Sequence, residues 1–368
     1  MTRTRKWLMG AGMVSGVLLV LAVVAVSLLP SDEELAQRAS AELETALGVP
    51  VSIGRLQWQL LPAPRVMLEK LATGQPQPVQ IDQLTADVNL SALWQRRLRV
   101  DRAVVQGAVV PQLSLRGLGS SPAQAKPAPQ RLFSLDALPL ARLELRDVTW
   151  VSRYGKRLVY EGEADFDAGW RPRTASARRP DAQTPAEATL ARQGQEDRWD
   201  INASVGGGTA NGELKLQDDG KGRLRLDGKL QPRNIDIVSA LQAFERRSVI
   251  AGKASGETVL LAQGNSPGEL ASSLHTMTLF STGRATLLRF DLDKAIRSLG
   301  KNHAGSTPLD SVTGQLDTQN TPQGMVATFS QLKTRSGALS ASGRARVASQ
   351  QINAELAVDL VDGVVGVP

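Results

Sequence analysis

The chain has no cysteine, which excludes a disulfide framework and a thiolate metal site. It has two histidines, His275 and His303. His275 reads as the end of a short helix, where an imidazole favours the dipole, and His303 falls in a polar loop. Neither carries the spacing of a metal or catalytic site, and no H-E-x-x-H, G-x-S-x-G or P-loop occurs. Asp291 and Asp293 form a carboxylate pair only superficially, because a helix cap and a first-turn charge account for them. Gly206, Gly207, Gly208 and Gly212 miss the dinucleotide fingerprint and read as a turn or bulge. The expectation is a protein without enzymatic activity, cofactor or metal. Aromatic residues make up 4% of the chain, so a core must be built from Leu, Val, Ile and Ala. Without rings interleaved among the basic residues, the net charge of +7 does not argue for nucleic acid; a basic surface beside anionic headgroups explains it.

What is present begins with an uncharged run from Trp7 to Leu29 behind a basic tip at 1–6. A helix needs about 20 apolar residues to cross the hydrocarbon core, so 7–29 reads as a single transmembrane anchor. Arg3, Arg5 and Lys6 precede it while Asp32, Glu33 and Glu34 follow, which puts the N-terminus in the cytoplasm. In a double-membraned bacterium the bulk of the chain is then periplasmic and the anchor lies in the inner membrane. A cleaved signal peptide would have a shorter apolar core and a better small-x-small site than Ala25-Val26-Ser27.

After the anchor, Ser31 and Glu34 make an S-x-x-E capping box. Leu35, Ala39, Leu43 and Leu47 follow at helical spacing until Gly48 and Pro50 stop the run. From Val51 the period becomes two, most cleanly in Leu84, Ala86, Val88 and Leu90, and again over Leu98 to Val109 and Leu113 to Leu115. That pattern predicts a meander of antiparallel strands. The stretch 120–131, rich in Pro, Ala and Gln, reads as a linker between a region at 31–119 and a middle β region at 132–250. Within the latter, 171–195 is too poor in apolar residues to pack and reads as a mobile loop. Further strands are expected at Trp199 to Val205, Leu214–Leu216 and Leu224–Leu226. A short helix at 235–244 capped by Asn234 follows, then a C-terminal β region at 251–368 with helices at 267–274 and 293–299.

The order of these features resembles the AsmA family of envelope proteins, including its larger TamB-like members. The likeness is carried by the anchor, the helix ending in Leu47-Gly48-Val49-Pro50-Val51-Ser52-Ile53, the strand Leu84 to Leu90, and Leu93-Trp94 leading into Leu98-Arg99-Val100-Asp101. In the second half it rests on Gly252, Ser255-Gly256, Ser266 to Leu274, Phe290-Asp291-Leu292, Thr307, Gly314 and Gly337 to Val347. The stretch 120–195 matches nothing specific. The resemblance implies a mainly β fold: a long curved antiparallel sheet forming a groove, with a few short helices and the N-terminal span. It also implies a part in outer-membrane biogenesis by binding or guiding phospholipid, together with envelope partner proteins. An alternating sheet must bury its apolar face on a partner layer or offer it to an apolar ligand. The candidate groove residues are Leu84, Val88, Leu90, Leu214, Leu216, Leu224 and Leu226; alternation leaves open which face each takes. A scaffold that recruits assembly factors without binding lipid is the alternative.

Overall fold

A computed structural model describes residues 32–59, 63–117, 134–168, 171–218, 223–265, 267–321, 324–337, 339–348 and 351–360. The tip, the 7–29 span, Ser31 of the capping box and the 120–131 linker lie outside the described residues. Among those described, no helix is long and apolar enough to cross a membrane. The fold is mainly β, with twenty strands and a few short helices among the described residues. Two compact units form, one from 1–181 with 189–195 and 266–268, the other from 182–188 with 196–265 and 269–368. Their boundary falls inside the region assigned from sequence to a single middle segment.

In the first unit, α1 (Asp32–Leu47) ends at Gly48, whose φ of 70° takes the left-handed conformation that stops a helix. Its Ala39, Leu43 and Leu47 are buried, which confirms the helical stripe. They join one core with Leu56 of β1 (Val51–Gln59), Leu68 of β2 (Arg65–Thr73), Leu84 and Val88 of β3 (Gln80–Val88) and Val100 of β4 (Arg97–Pro111). The Ser40 hydroxyl donates to the Val51 carbonyl, tying helix to sheet. A short helix α2 (Leu90–Trp94) links β3 to β4. The unit continues through β5 (Ser134–Leu140), β6 (Arg142–Val151), β7 (Arg157–Asp167) and β8 (Arg171–Arg178).

The expected all-antiparallel meander is broken once, because β4 pairs in parallel with both β5 and β6. β5 opens beside the start of β4, with Ser134 opposite Arg97, and Leu143 of β6 lies opposite Ala103. Leu113–Leu115 is not a strand; β4 stops at Pro111, and a 3₁₀ turn occupies Ser114–Gly117.

The expected mobile loop at 171–195 instead contains β8 and β9 (Glu187–Arg192). Large apolar residues are not needed there. Ala175 and Ala177 of β8 sit opposite Ala164 and Gly162 of β7, so the two backbones pair over small side chains. Arg178 bonds Glu161, and the Thr174 hydroxyl bonds Asp165, across the same pair.

The second unit runs through β10 (Arg198–Val205), β11 (Gly208–Asp218), β12 (Leu224–Arg233), β13 (Ile235–Asp236), α3 (Ile237–Gln242), β14 (Ile250–Gly264), α4 (Pro267–Ser272) and β15 (His275–Leu287). It finishes with α5 (Leu292–Arg297), β16 (Thr307–Leu309), β17 (Ser311–Thr321), β18 (Gly324–Ser336), β19 (Leu339–Ala348) and β20 (Gln351–Leu360). Apart from the short β13 and β16, each strand pairs antiparallel with the next, from β10–β11 to β19–β20. Gly206 and Gly207, with φ of 57° and 68°, form the two-residue turn between β10 and β11.

Two local expectations are corrected here. The cap of α3 is Asp236, whose carboxylate accepts from Ser239 N at 2.8 Å, whereas Asn234 is a left-handed residue before β13. His275 opens β15 rather than ending a helix, and its Nε2 lies 2.8 Å from Asp317 Oδ2 on the paired strand. The expected Asp291 cap is observed, with its carboxylate accepting from Lys294 N at 3.0 Å.

Candidate functional site

Antiparallel partners point to the same face of a sheet, so the register sorts the side chains of the second unit. From Trp199 the row of partners runs through Leu214, Gly228 and Leu260. It continues across Thr276 and Thr318 to Ala327, Val347 and Ile352. The next row on that face passes Ile201, Gly212, Leu230 and Thr258, then Thr278, Leu316, Phe329, Ala345 and Ala354. Neither row contains a charged side chain over nine strands. The row between them, on the opposite face, holds the charged Asp200, Glu213, Lys229, Asp317 and Arg346 together with exposed Val259 and Met277.

The two units treat their apolar faces differently. In the first, α1 lies in the same core as the strands, and Leu84 and Val88 are buried there. In the second, most side chains of the charge-free face are half-buried, including Leu214, Leu216, Leu226, Leu230, Leu260, Leu316 and Phe329. They lie along the sheet over glycines: a Cβ at Gly228 would come within 2.6 Å of Leu214 Cδ2, and one at Gly314 within 2.9 Å of Leu332 Cδ2. Phe280 and Phe329 meet edge to face at 6.3 Å between centroids. The threonines of the face satisfy one another, Thr258 with Thr278 at 2.9 Å and Thr276 with Thr318 at 2.6 Å. Each pair uses one of its two hydroxyl hydrogens, so the face presents methyl groups with few polar atoms among them.

The residues singled out from sequence divide accordingly. Leu214, Leu216 and Leu226 share the half-buried face, and Leu224, opposite Gly264 at a strand end, is buried. Leu84 and Val88 are buried in the core that α1 shares, and not on an open face. Leu90 lies outside any strand face, exposed at the start of α2. Sequence reading missed Phe280, Leu316 and Phe329 and the threonine pairs. The signal was present as an alternation of Thr and Gly with charged residues, a period of two written in small side chains.

The polar face of the first unit is ionic. Glu144 accepts from Arg102 at 2.8 and 2.7 Å, and also from Arg142 at 3.2 Å and Arg146 at 2.9 Å. The Arg102 hydrogen bonds, helped by Arg146 and Arg142 against the cost of burial, lower its carboxyl to about 2.

No protein-family model, curated protein or solved structure matches the chain. Its reading rests on its own residues and geometry.

Proposed function

We propose that this protein is an inner-membrane-anchored periplasmic protein of outer-membrane biogenesis that holds or guides phospholipid acyl chains along the charge-free face of its second unit. The observation that carries the reading is that face, without a charged side chain in two rows over nine strands, half-buried across most of them and exposed on β20, where the first unit buries its apolar residues in a core that includes a helix. Each methylene removed from water there is stabilised by about 0.8 kcal/mol, so a chain of a dozen or more carbons has ample reason to stay. The finer form of the sheet, a long curved groove with the headgroup at its wet rim, belongs to the same proposal. So do the anchor at 7–29 and the use of envelope partner proteins. The resemblance of the feature order to the AsmA family supports the same function.

The test is photo-crosslinking of the full chain in its native membrane, with a benzophenone side chain placed in turn at Leu216, Leu230, Lys215 and Lys229. Phospholipid adducts, read by mass spectrometry, are expected at the two leucines and not at the two lysines. Adducts at neither leucine would remove lipid from the reading and leave the scaffold that recruits assembly factors.

A further inference from the structure

The two ends of the second unit differ in chemistry. At one end α3 and α5 sit in connections that spring from neighbouring positions. The first connection enters β14 at Ile250 and the second leaves β15 at Leu287; these two residues are partners in the ladder, and Leu288 N–H donates to the Val249 carbonyl at 2.8 Å. Across 237–249 and 288–306 the sequence places Arg246, Arg247, Arg289, Lys294, Arg297 and Lys301 against Glu245, Asp291 and Asp293. Asp291 caps α5 and lies 3.6 Å from Lys294 Nζ, and Asp293 pairs with Arg297, which leaves Arg246, Arg247, Arg289 and Lys301 against Glu245. At the opposite end, 265–274 has Glu269 and no base, and the sequence between β11 and β12 sets Lys221 and Arg223 against Asp218 and Asp219, so no excess of base arises there.

Large apolar side chains stand among these bases. Phe244, Val249, Phe290 and Ile296 are exposed, and Leu299 is 91% exposed. They project from an ordered frame. Phe290 stacks on His303 at 5.5 Å, the Thr307 hydroxyl donates to the Phe290 carbonyl at 2.8 Å and accepts from Leu292 N at 2.8 Å, and Ile250 and Leu287 pack on the small core of Ala285, Leu309 and Val312 beneath.

We infer that this end of the second unit docks on the surface of an anionic phospholipid bilayer. Its bases meet headgroup phosphates while the exposed apolar tips enter the acyl boundary. A protein partner fits less well, because interface cores are depleted of charge and need a contiguous apolar patch, whereas here the apolar tips are spread along two connections that also carry Arg246, Arg247, Arg289, Arg297 and Lys301. Docking does not require that the charge-free face carry lipid, so the two readings stand or fall separately.

Because the chain has no cysteine, a single thiol reports on position. The full chain, held in a neutral phosphatidylcholine nanodisc, carries Leu299→Cys or, at the opposite end, Ala271→Cys, labelled with an environment-sensitive fluorophore. Vesicles of phosphatidylethanolamine and phosphatidylglycerol are expected to shift the Leu299 probe to the blue. High salt reverses the shift, and the Ala271 probe stays unchanged. Arg246→Glu with Arg247→Glu should weaken vesicle binding by about tenfold or more. Leu299→Asp, at a position without packing to lose, should do the same with the melting temperature preserved. No shift with anionic vesicles, an equal shift with phosphatidylcholine vesicles, or an equal response at Ala271 overturns the inference.

Discussion

At the scale of single residues, Glu144 is the clearest electrostatic determinant of the first unit. Its carboxyl sits at about 2 in the folded chain against 4.5 for an unperturbed group. A depressed carboxyl contributes stability that is present above pH 4.5 and lost as pH falls towards 2. Because the three arginines are 40 to 55% exposed, solvent screening reduces the contribution to about 1–2 kcal/mol. Glu144→Gln should therefore lower stability near neutrality and flatten its pH dependence between 4.5 and 2, read by denaturant titration at each pH. A dependence as steep as that of the natural chain would show that other carboxylates set the acid limb. Gly314 is the counterpart on the apolar face of the second unit. Gly314→Val pushes against Leu332 and against Phe280, whose Cζ would lie 3.2 Å away. The two side chains can move, but the Ser330 carbonyl, also 3.2 Å away, belongs to the backbone of β18, so a cost of about 1–3 kcal/mol is expected, with fewer lipid adducts at the neighbouring leucines.

At the scale of elements, the contrast between β3 and β11 gives the sharper test. Val88 and Leu216 have the same place in an alternating pattern, and from sequence they are equivalent. The structure separates them, because Val88 lies in the core that α1 shares and Leu216 on the half-buried face. Val88→Asp buries an unpaired charge and should unfold the first unit. Leu216→Asp can keep its carboxylate wet and should leave the far-ultraviolet circular dichroism intact while abolishing lipid adducts. Leu43→Ala, on the covering helix, should cost about 2–4 kcal/mol, measured as a shift in the denaturant midpoint. Most elements were legible because each satisfied a local rule: period two in β10–β12, the stripe of α1, the Asp291 cap. Those that were not legible owe their existence to partners. No local signal reports that β8 will sit on β7 with alanine opposite alanine and glycine. Nor do the residues of β6 themselves report that it runs parallel to β4.

At the scale of the whole molecule, alternation announces a two-faced sheet but not what covers it. Burial is a property of the neighbour, and the sequence of β11 is as alternating as that of β3; on the proposed function, coverage is what separates the two faces. Every feature that makes the second unit's face suited to acyl chains also leaves it short of a fully buried core when bare. An occupant should therefore contribute to stability in proportion to its affinity, by the mass-action rule that gives about 2.7 kcal/mol at a hundredfold excess over Kd. Stripping phospholipid from the full chain with a short-chain detergent should speed amide exchange in β11, β12, β15 and β17. Exchange in β2, β3 and β4, where the core is closed by α1, should stay as it was. Returning phosphatidylethanolamine should restore the slow exchange in the first set. Acceleration shared equally by both sets would mean that lipid removal loosens the chain generally, and exchange unchanged in both would mean that the second unit's face needs no occupant.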